Sequence, residues 1–297
     1  MITVPDSLAA LLLRDNDDAR QWIDNFPHLS RDVLQAWECE PNGAIRAGAV
    51  AVVIPVRSPS GPAVVKISYP HLGSTGEAEA LDLWNGDGAI RLLDSDTARL
   101  ALLLERVDDR SLDVPPDQGI AIGGQLLARL AVPAPARMHH LADTADEWEQ
   151  QIRDDQQRAG HPLPDRTIDA AIETVRDLGQ DTTKTMVHGD LHGGNILHAA
   201  RGWVVIDPKG MVGTPAYDAI TMCSYRRPPA ANAEAEIAET NRRIEIFSDA
   251  AGVAVELTRR CVHARAVTAL LWDFRRGDVP RTRNFEFRMH VSEGLLS

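Results

Sequence analysis

Cysteine is scarce in this chain: Cys39, Cys223 and Cys261 lie far apart, and no C-x-x-C pair occurs. That excludes a disulfide framework and a thiolate zinc site, and it fits a reducing compartment. Long apolar runs are missing too. Leu11 to Leu13 run straight into Arg14, Asp15 and Asp17, so no leader-like segment is read there. Nor does any run approach the roughly 20 residues that cross a bilayer, which makes the cytoplasm the expected location. Basic charge is in deficit, with 31 Lys and Arg against 43 Asp and Glu, a formal net charge of −12. Nucleic-acid partners need a basic footprint and are set aside. The acidic balance serves solubility and also suits the approach of a cationic small molecule. There is no G-x-G-x-x-G, no internal repeat, no low-complexity segment and no sign of an obligate protein partner.

The composition that is present, 44% apolar and 25% charged over 297 residues, is that of a globular chain able to bury a sizeable core. Helical spacing runs from Asp6 to Trp37, with a break expected at Pro27 and a restart capped by Ser30. Two β-branched runs follow, Ala49 to Val56 and Ala63 to Ile67, separated by the turn chemistry of Ser58 to Pro62. They read as a hairpin. A helix from Glu77 to Asn85 ends at Gly86 and Gly88, and strands are expected at Ile90–Leu93 and Arg99–Val107. Beyond Val107 the pattern turns helical: Asp117–Leu130, Asp146–Arg158, Thr167–Leu178 and Ala233–Trp272. One strand pair, Met186–Val187 and Trp203–Ile206, interrupts it. The expected class is α+β in two lobes, a β-rich 1–107 with N-terminal helices and a helical 108–297, meeting near Val107 to Asp109.

One segment carries the chemistry. His188-Gly189-Asp190-Leu191-His192-Gly193-Gly194-Asn195 is followed by an apolar strand and then by Asp207. Phosphoryl transfer passes through a charged, loose transition state, so a protein contributes chiefly positioning and charge neutralisation. One carboxylate must orient or accept the proton of the attacking hydroxyl, which points to Asp190. An amide oxygen and a second carboxylate suit the hard cation Mg²⁺, which points to Asn195 and Asp207.

These residues resemble the aminoglycoside phosphotransferase branch of the protein-kinase-like fold, where His-Gly-Asp-x-His-x-x-Asn stands in place of His-Arg-Asp. Trp22 to Pro27, Trp37, Glu77 to Trp84, Ala89 to Leu93, Leu102 to Arg106 and Val205 to Gly210 are similar to the streptomycin 6-phosphotransferase and hydroxyurea-resistance kinase subfamily. The resemblance spans nearly the whole chain and implies a bilobal kinase fold, ATP and Mg²⁺ as cofactors, and a small-molecule acceptor. Within it Lys66 is the expected phosphate contact, held by a helix carboxylate. Glu77 is preferred over Glu79, because Ala80, Leu81 and Trp84 would seat its helix at i+3, i+4 and i+7. The resemblance also implies that backbone groups of Glu105 and Val107 pair with adenine, and that Asp218 bonds back to the 188–195 loop. Thr214, where relatives often carry Asp, the stretch Asp108 to Leu112, and Ala131 in place of a frequent His depart from the pattern and bear on specificity.

His188 is expected to support the loop internally, and His192 to orient the loop or meet substrate. Carboxylates for a cationic acceptor are sought among Glu147, Asp154, Asp155, Glu256 and Asp273, while Trp148 and Trp272 read as core. A protein substrate is disfavoured, since little chain separates Asp207 from Pro215-Ala216 and no A-P-E closes it. The leading function is an ATP-dependent phosphotransferase acting on an aminoglycoside such as streptomycin. The alternatives are hydroxyurea or another small molecule as acceptor, and a non-catalytic nucleotide sensor.

Overall fold

The computed structural model describes residues 1–71, 76–108, 110–275 and 282–295. The chain forms two compact units: unit 1 is Met1–Asp109 with Ala199–Lys209, and unit 2 is Arg110–His198 with Gly210–Ser297. Asp109, the last residue of the Val107–Asp109 stretch where the sequence places the lobe junction, lies outside the described residues and is also part of the 108–112 departure.

Unit 1 begins with α1 (Asp6–Asp15) and α2 (Ala19–Ala36). Pro27 does not break α2 as its missing N–H would suggest. The helix runs through it, and Ser30 is buried in mid-helix with its hydroxyl on the Pro27 carbonyl rather than capping a new helix. Packing decides this: Phe26, Val33 and Leu34 on α2 and Leu8 and Leu12 on α1 cover the apolar face of a sheet. A proline costs a helix interior about 3 kcal/mol, which the burial of several large side chains at roughly 1.5–3 kcal/mol each offsets.

That sheet is antiparallel and contains β1 (Glu40–Pro41), β2 (Arg46–Ala47), β3 (Ala51–Ser58), β4 (Gly61–Ser68), β5 (Leu92–Asp96) and β6 (Ala101–Glu105). Its order is β1-β3-β4-β6-β5, with β2 also on β3. The β3–β4 register runs from Ala51↔Ser68 to Ser58↔Gly61, so Pro59-Ser60 is the two-residue turn of the expected hairpin. Strand alternation now has a consequence. Val65 and Ile67 enter the core under α1 and α2, and Lys66 must therefore point from the opposite face. The helix α3 (Glu77–Trp84) buries Glu77, Ala80, Leu81 and Trp84 and stops at Asn85, whose φ of 45° is left-handed.

Unit 2 is built from α4 (Pro116–Leu130), α5 (Ala145–Arg158), α6 (Asp165–Gly179), a short α7 (Ala219–Cys223), α8 (Ala233–Ala251), α9 (Val255–Arg275) and α10 (Arg283–Gly294). One core joins Ile152, Ile168, Ile172 and Val175 to Val267, Leu270 and Leu271. Gly124 lets α4 lie close against α8: a Cβ there would stand 2.7 Å from that of Ala250 and 2.9 Å from the Phe247 carbonyl. The strand pair expected from the sequence is re-partnered. Met186–Val187 pairs with Met211–Val212, while Gly202–Val205 lies in unit 1, bridged at Val205 to Ala89. Helix α10 goes beyond the expected helices. Among the described residues no helix is long and apolar enough to cross a membrane.

Candidate active site

In unit 1 three of the residues singled out from the sequence converge, Lys66, Glu77 and Asp207. Lys66 Nζ donates to both Glu77 carboxylate oxygens at 2.6 Å and to Asp207 Oδ1 at 2.5 Å. The helix face that buries Ala80, Leu81 and Trp84 turns Glu77 toward the lysine, so Glu77 makes this contact and not Glu79. Burial opposes a charge on Lys66, but Glu77 and Asp207 outweigh it and raise the pKa, so the ammonium persists. Asp207 has a φ of +61° and stands between the end of the strand Gly202–Val205 and Pro208. Its side chain is one-third exposed, against 4% for Glu77. It is thus the more accessible of the two carboxylates.

Glu105 closes β6, with Val107 just beyond. Its N–H is taken by the Arg91 carbonyl at 3.0 Å. Burial disfavours its charge, yet Arg201 and the Arg91 N–H hold its carboxyl below the usual range. Two residues escaped sequence reasoning here. Arg201 had no local signal. Lys209 had one: the chain has three lysines, at 66, 184 and 209, among 31 Lys and Arg. Two of the three flank Asp207 in sequence or in contact. Lysine is the compact, strongly hydrated point charge of the pair. Burial lowers the His71 pKa, and the charge of Lys209 lowers it further.

In unit 2 the 188–195 loop is held from beneath. Asp218 accepts from Gly189 N at 2.9 Å and from Leu191 N at 3.1 Å. The Thr221 hydroxyl donates to the Leu191 carbonyl. His188 is fully buried and accepts from Asp190 N at 3.2 Å, the internal role expected of it. His192 accepts from Gly194 N at 3.0 Å and so orients the loop. Asn195 Nδ2 donates to the Asp190 carbonyl at 3.0 Å, which leaves the amide oxygen as its other polar atom. Gly193 rests on the Tyr225 ring, where a Cβ would meet carbons at 2.7 Å. That ring is pinned by its hydroxyl, which donates to Leu112 O at 2.9 Å and accepts from Val114 N at 3.2 Å. Thr214 caps the turn Pro215–Asp218 through Ala216 N, the task an Asp would perform.

The acceptor carboxylates part company. Glu147, Asp154 and Asp155 line one cavity of about 480 Å³ with Asp146, Gln150, Gln151, Arg158 and Arg275. Glu256 pairs instead with Arg259, and Asp273 with Arg288. Trp148 packs edge-on against Tyr217 as core, whereas Trp272 is 40% exposed under Arg275.

Asn195 in unit 2 and Asp207 in unit 1 each carry a side-chain oxygen of the hard type that suits Mg²⁺. Among the described residues no three His, Cys, Asp or Glu gather into a metal-holding group.

The fold is that of a protein-kinase-like phosphotransferase. A mutant aminoglycoside phosphotransferase solved with ADP and hygromycin B superposes with a TM-score of 0.56 at 12% identity, over 90% of this chain and 97% of that one. The chain belongs to the aminoglycoside/hydroxyurea antibiotic resistance kinase family, whose model matches residues 36–277. It is 30% identical over 284 residues to a streptomycin 6-kinase of Streptomyces glaucescens, covering 93% of this chain and 92% of that protein. It is 28% identical over 305 residues to a hydroxyurea phosphotransferase of Kitasatospora aureofaciens, covering all of this chain and 86% of the relative.

Proposed function

We propose that this phosphotransferase moves the γ-phosphoryl group of ATP directly to a hydroxyl of a cationic aminoglycoside, streptomycin first among them. The acceptor oxygen bonds to the γ-phosphorus, the bond to the bridging oxygen breaks, ADP leaves, and the hydroxyl proton passes to Asp190. Lys66, steadied by Glu77, holds the phosphates, and backbone groups of Glu105 and Val107 take the adenine edge. Asn195 and Asp207 hold Mg²⁺, which when bound neutralises phosphate charge.

The observation that carries this reading is the buried Lys66 locked between Glu77 and Asp207. Streptomycin is favoured by the similarity to the streptomycin 6-kinase, which runs over 93% of the chain. Hydroxyurea is the second reading, because similarity to the hydroxyurea phosphotransferase spans the whole chain. A cytoplasmic location accords with a nucleotide-dependent enzyme.

The test is ADP release from Mg-ATP with streptomycin, other aminoglycosides or hydroxyurea as acceptor. Streptomycin-dependent turnover is expected, falling about 10²–10⁴-fold in Asp190→Ala, the usual worth of a general base. Turnover with hydroxyurea alone selects the second reading, and an Asp190→Ala enzyme with unchanged kcat removes Asp190 from the chemistry.

A further inference from the structure

The stretch Ala199–Lys209 is part of unit 1 and brings Asp207 to Lys66. Beside the backbone pairing of its strand, one side chain fastens it. Arg201 stands in the turn before the strand Gly202–Val205. Its Nε donates to the Gly86 carbonyl at 3.0 Å and its Nη2 to the Ala89 carbonyl at 2.8 Å. Nη1 donates to Glu105 Oε2 at 3.0 Å, and Nη2 also reaches Oε1. The same Oε1 accepts from Arg91 N at 2.7 Å. At the other end of the strand, Val205 N donates to Gly88 O and Ile90 N to Val205 O, both at 2.9 Å. Asp207 follows two residues later.

This strand is therefore held at both ends, by backbone at Val205 and by a guanidinium at Arg201. The planar fork has five N–H donors in fixed directions and meets three separate acceptor groups at once. A lysine ammonium on a flexible stem does not reproduce that geometry. One of the acceptors is the side chain of Glu105, the residue closing β6. The same contact thus ties the segment carrying Asp207 to the end of that strand.

We propose that Arg201 is a positioning residue for Asp207: through Gly86, Ala89 and Glu105 it sets the segment on which the Mg²⁺-binding carboxylate stands. The inference rests on the assignment of Asp207 to Mg²⁺ and not on the identity of the acceptor. Partners that orient metal ligands are typically worth about 10–100-fold in metal affinity.

The experiment is calorimetric ADP binding to the full chain across a Mg²⁺ titration, with a thermal melt of each variant. It compares wild type with Arg201→Lys, Arg201→Ala, Glu105→Gln and Asp207→Asn. Arg201→Lys is expected to raise the Mg²⁺ midpoint about ten-fold, while metal-free ADP affinity and the acceptor KM stay at the wild-type value. Glu105→Gln shifts the midpoint in the same direction. A merely structural role predicts equal loss of ADP affinity with and without Mg²⁺, and that result, or an unchanged midpoint in Arg201→Lys, overturns the proposal. If Arg201→Ala melts early, Arg201→Lys and Glu105→Gln decide. An Asp207→Asn chain that keeps full Mg²⁺ dependence overturns the metal assignment and this inference with it. Loss of that dependence in Asp207→Asn alone overturns only the role of Arg201.

Discussion

At the scale of single residues, Lys66 shows why a buried charge points to function. The residue is 8% exposed and its ammonium bonds two carboxylates on the sheet face away from the apolar core, a costly arrangement for a buried charge. Removing one partner strands the other. Glu77→Ala is expected to destabilise the protein by about 3–5 kcal/mol in urea denaturation, because a buried lysine loses its more buried counter-charge and keeps only the partly exposed Asp207. The double variant Lys66→Met/Glu77→Leu should recover most of that stability and still show no turnover. Stability lost equally by both variants would mean that the pair is there for folding and not for phosphate binding.

Within elements, the 188–195 loop depends on what lies under it. A methyl at Gly193 meets the Tyr225 ring, whose hydroxyl is bonded on both sides, so the loop must move and not the ring. A shift near 1 Å at a reacting group costs on the order of 10²-fold. Gly193→Ala should therefore lower kcat by about that factor with little change in melting temperature. Tyr225→Ala, which makes space, should lessen the effect of Gly193→Ala, the non-additivity of a direct contact. Independent losses that multiply would show that the ring is not the obstacle.

The α9–α10 contact offers a pH handle. His263 is buried on α9 with a ring nitrogen on the Ser292 carbonyl of α10 at 3.0 Å. Burial lowers its pKa below the ordinary 6.5. The unfolded chain then takes up the proton first. Its contribution to stability is complete above the unfolded value and is lost as pH falls from there through the depressed folded value. Denaturation midpoints should drop as pH falls below the ordinary histidine value of 6.5, and His263→Gln should flatten that part of the slope. An identical slope in the variant would assign the loss to other groups.

For the whole molecule, the net charge of −12 acts at long range. Attraction between an acidic protein and a multiply charged aminoglycoside is screened within about 8–10 Å at physiological salt. Raising ionic strength should therefore lower kcat/KM for streptomycin several-fold while leaving a neutral acceptor such as hydroxyurea unaffected. Stopped-flow or steady-state rates across a salt series measure this. Equal salt effects on both acceptors would show that the acidity serves solubility alone.

Much of this was legible from the chain itself. Spacing in the 188–207 stretch is what put Asp190, Asn195 and Asp207 forward as candidates. Helical spacing turned Glu77 inward ahead of Glu79, and the structure agrees; the alternation that sets Lys66 opposite Val65 and Ile67 is likewise local. These are short-range properties, set by 3.6-residue and two-residue repeats that any local window reveals. Tertiary structure decided the rest. Pro27 continues a helix because the sheet beneath α2 rewards its burial, and Met186–Val187 pairs with Met211–Val212 rather than with 203–206. Arg201 finds Gly86, Ala89 and Glu105 from far along the chain. Of five acidic candidates, Glu147, Asp154 and Asp155 share a cavity. Contacts between distant segments leave no periodic trace in sequence, since they depend on where whole elements come to rest and not on the residues beside them.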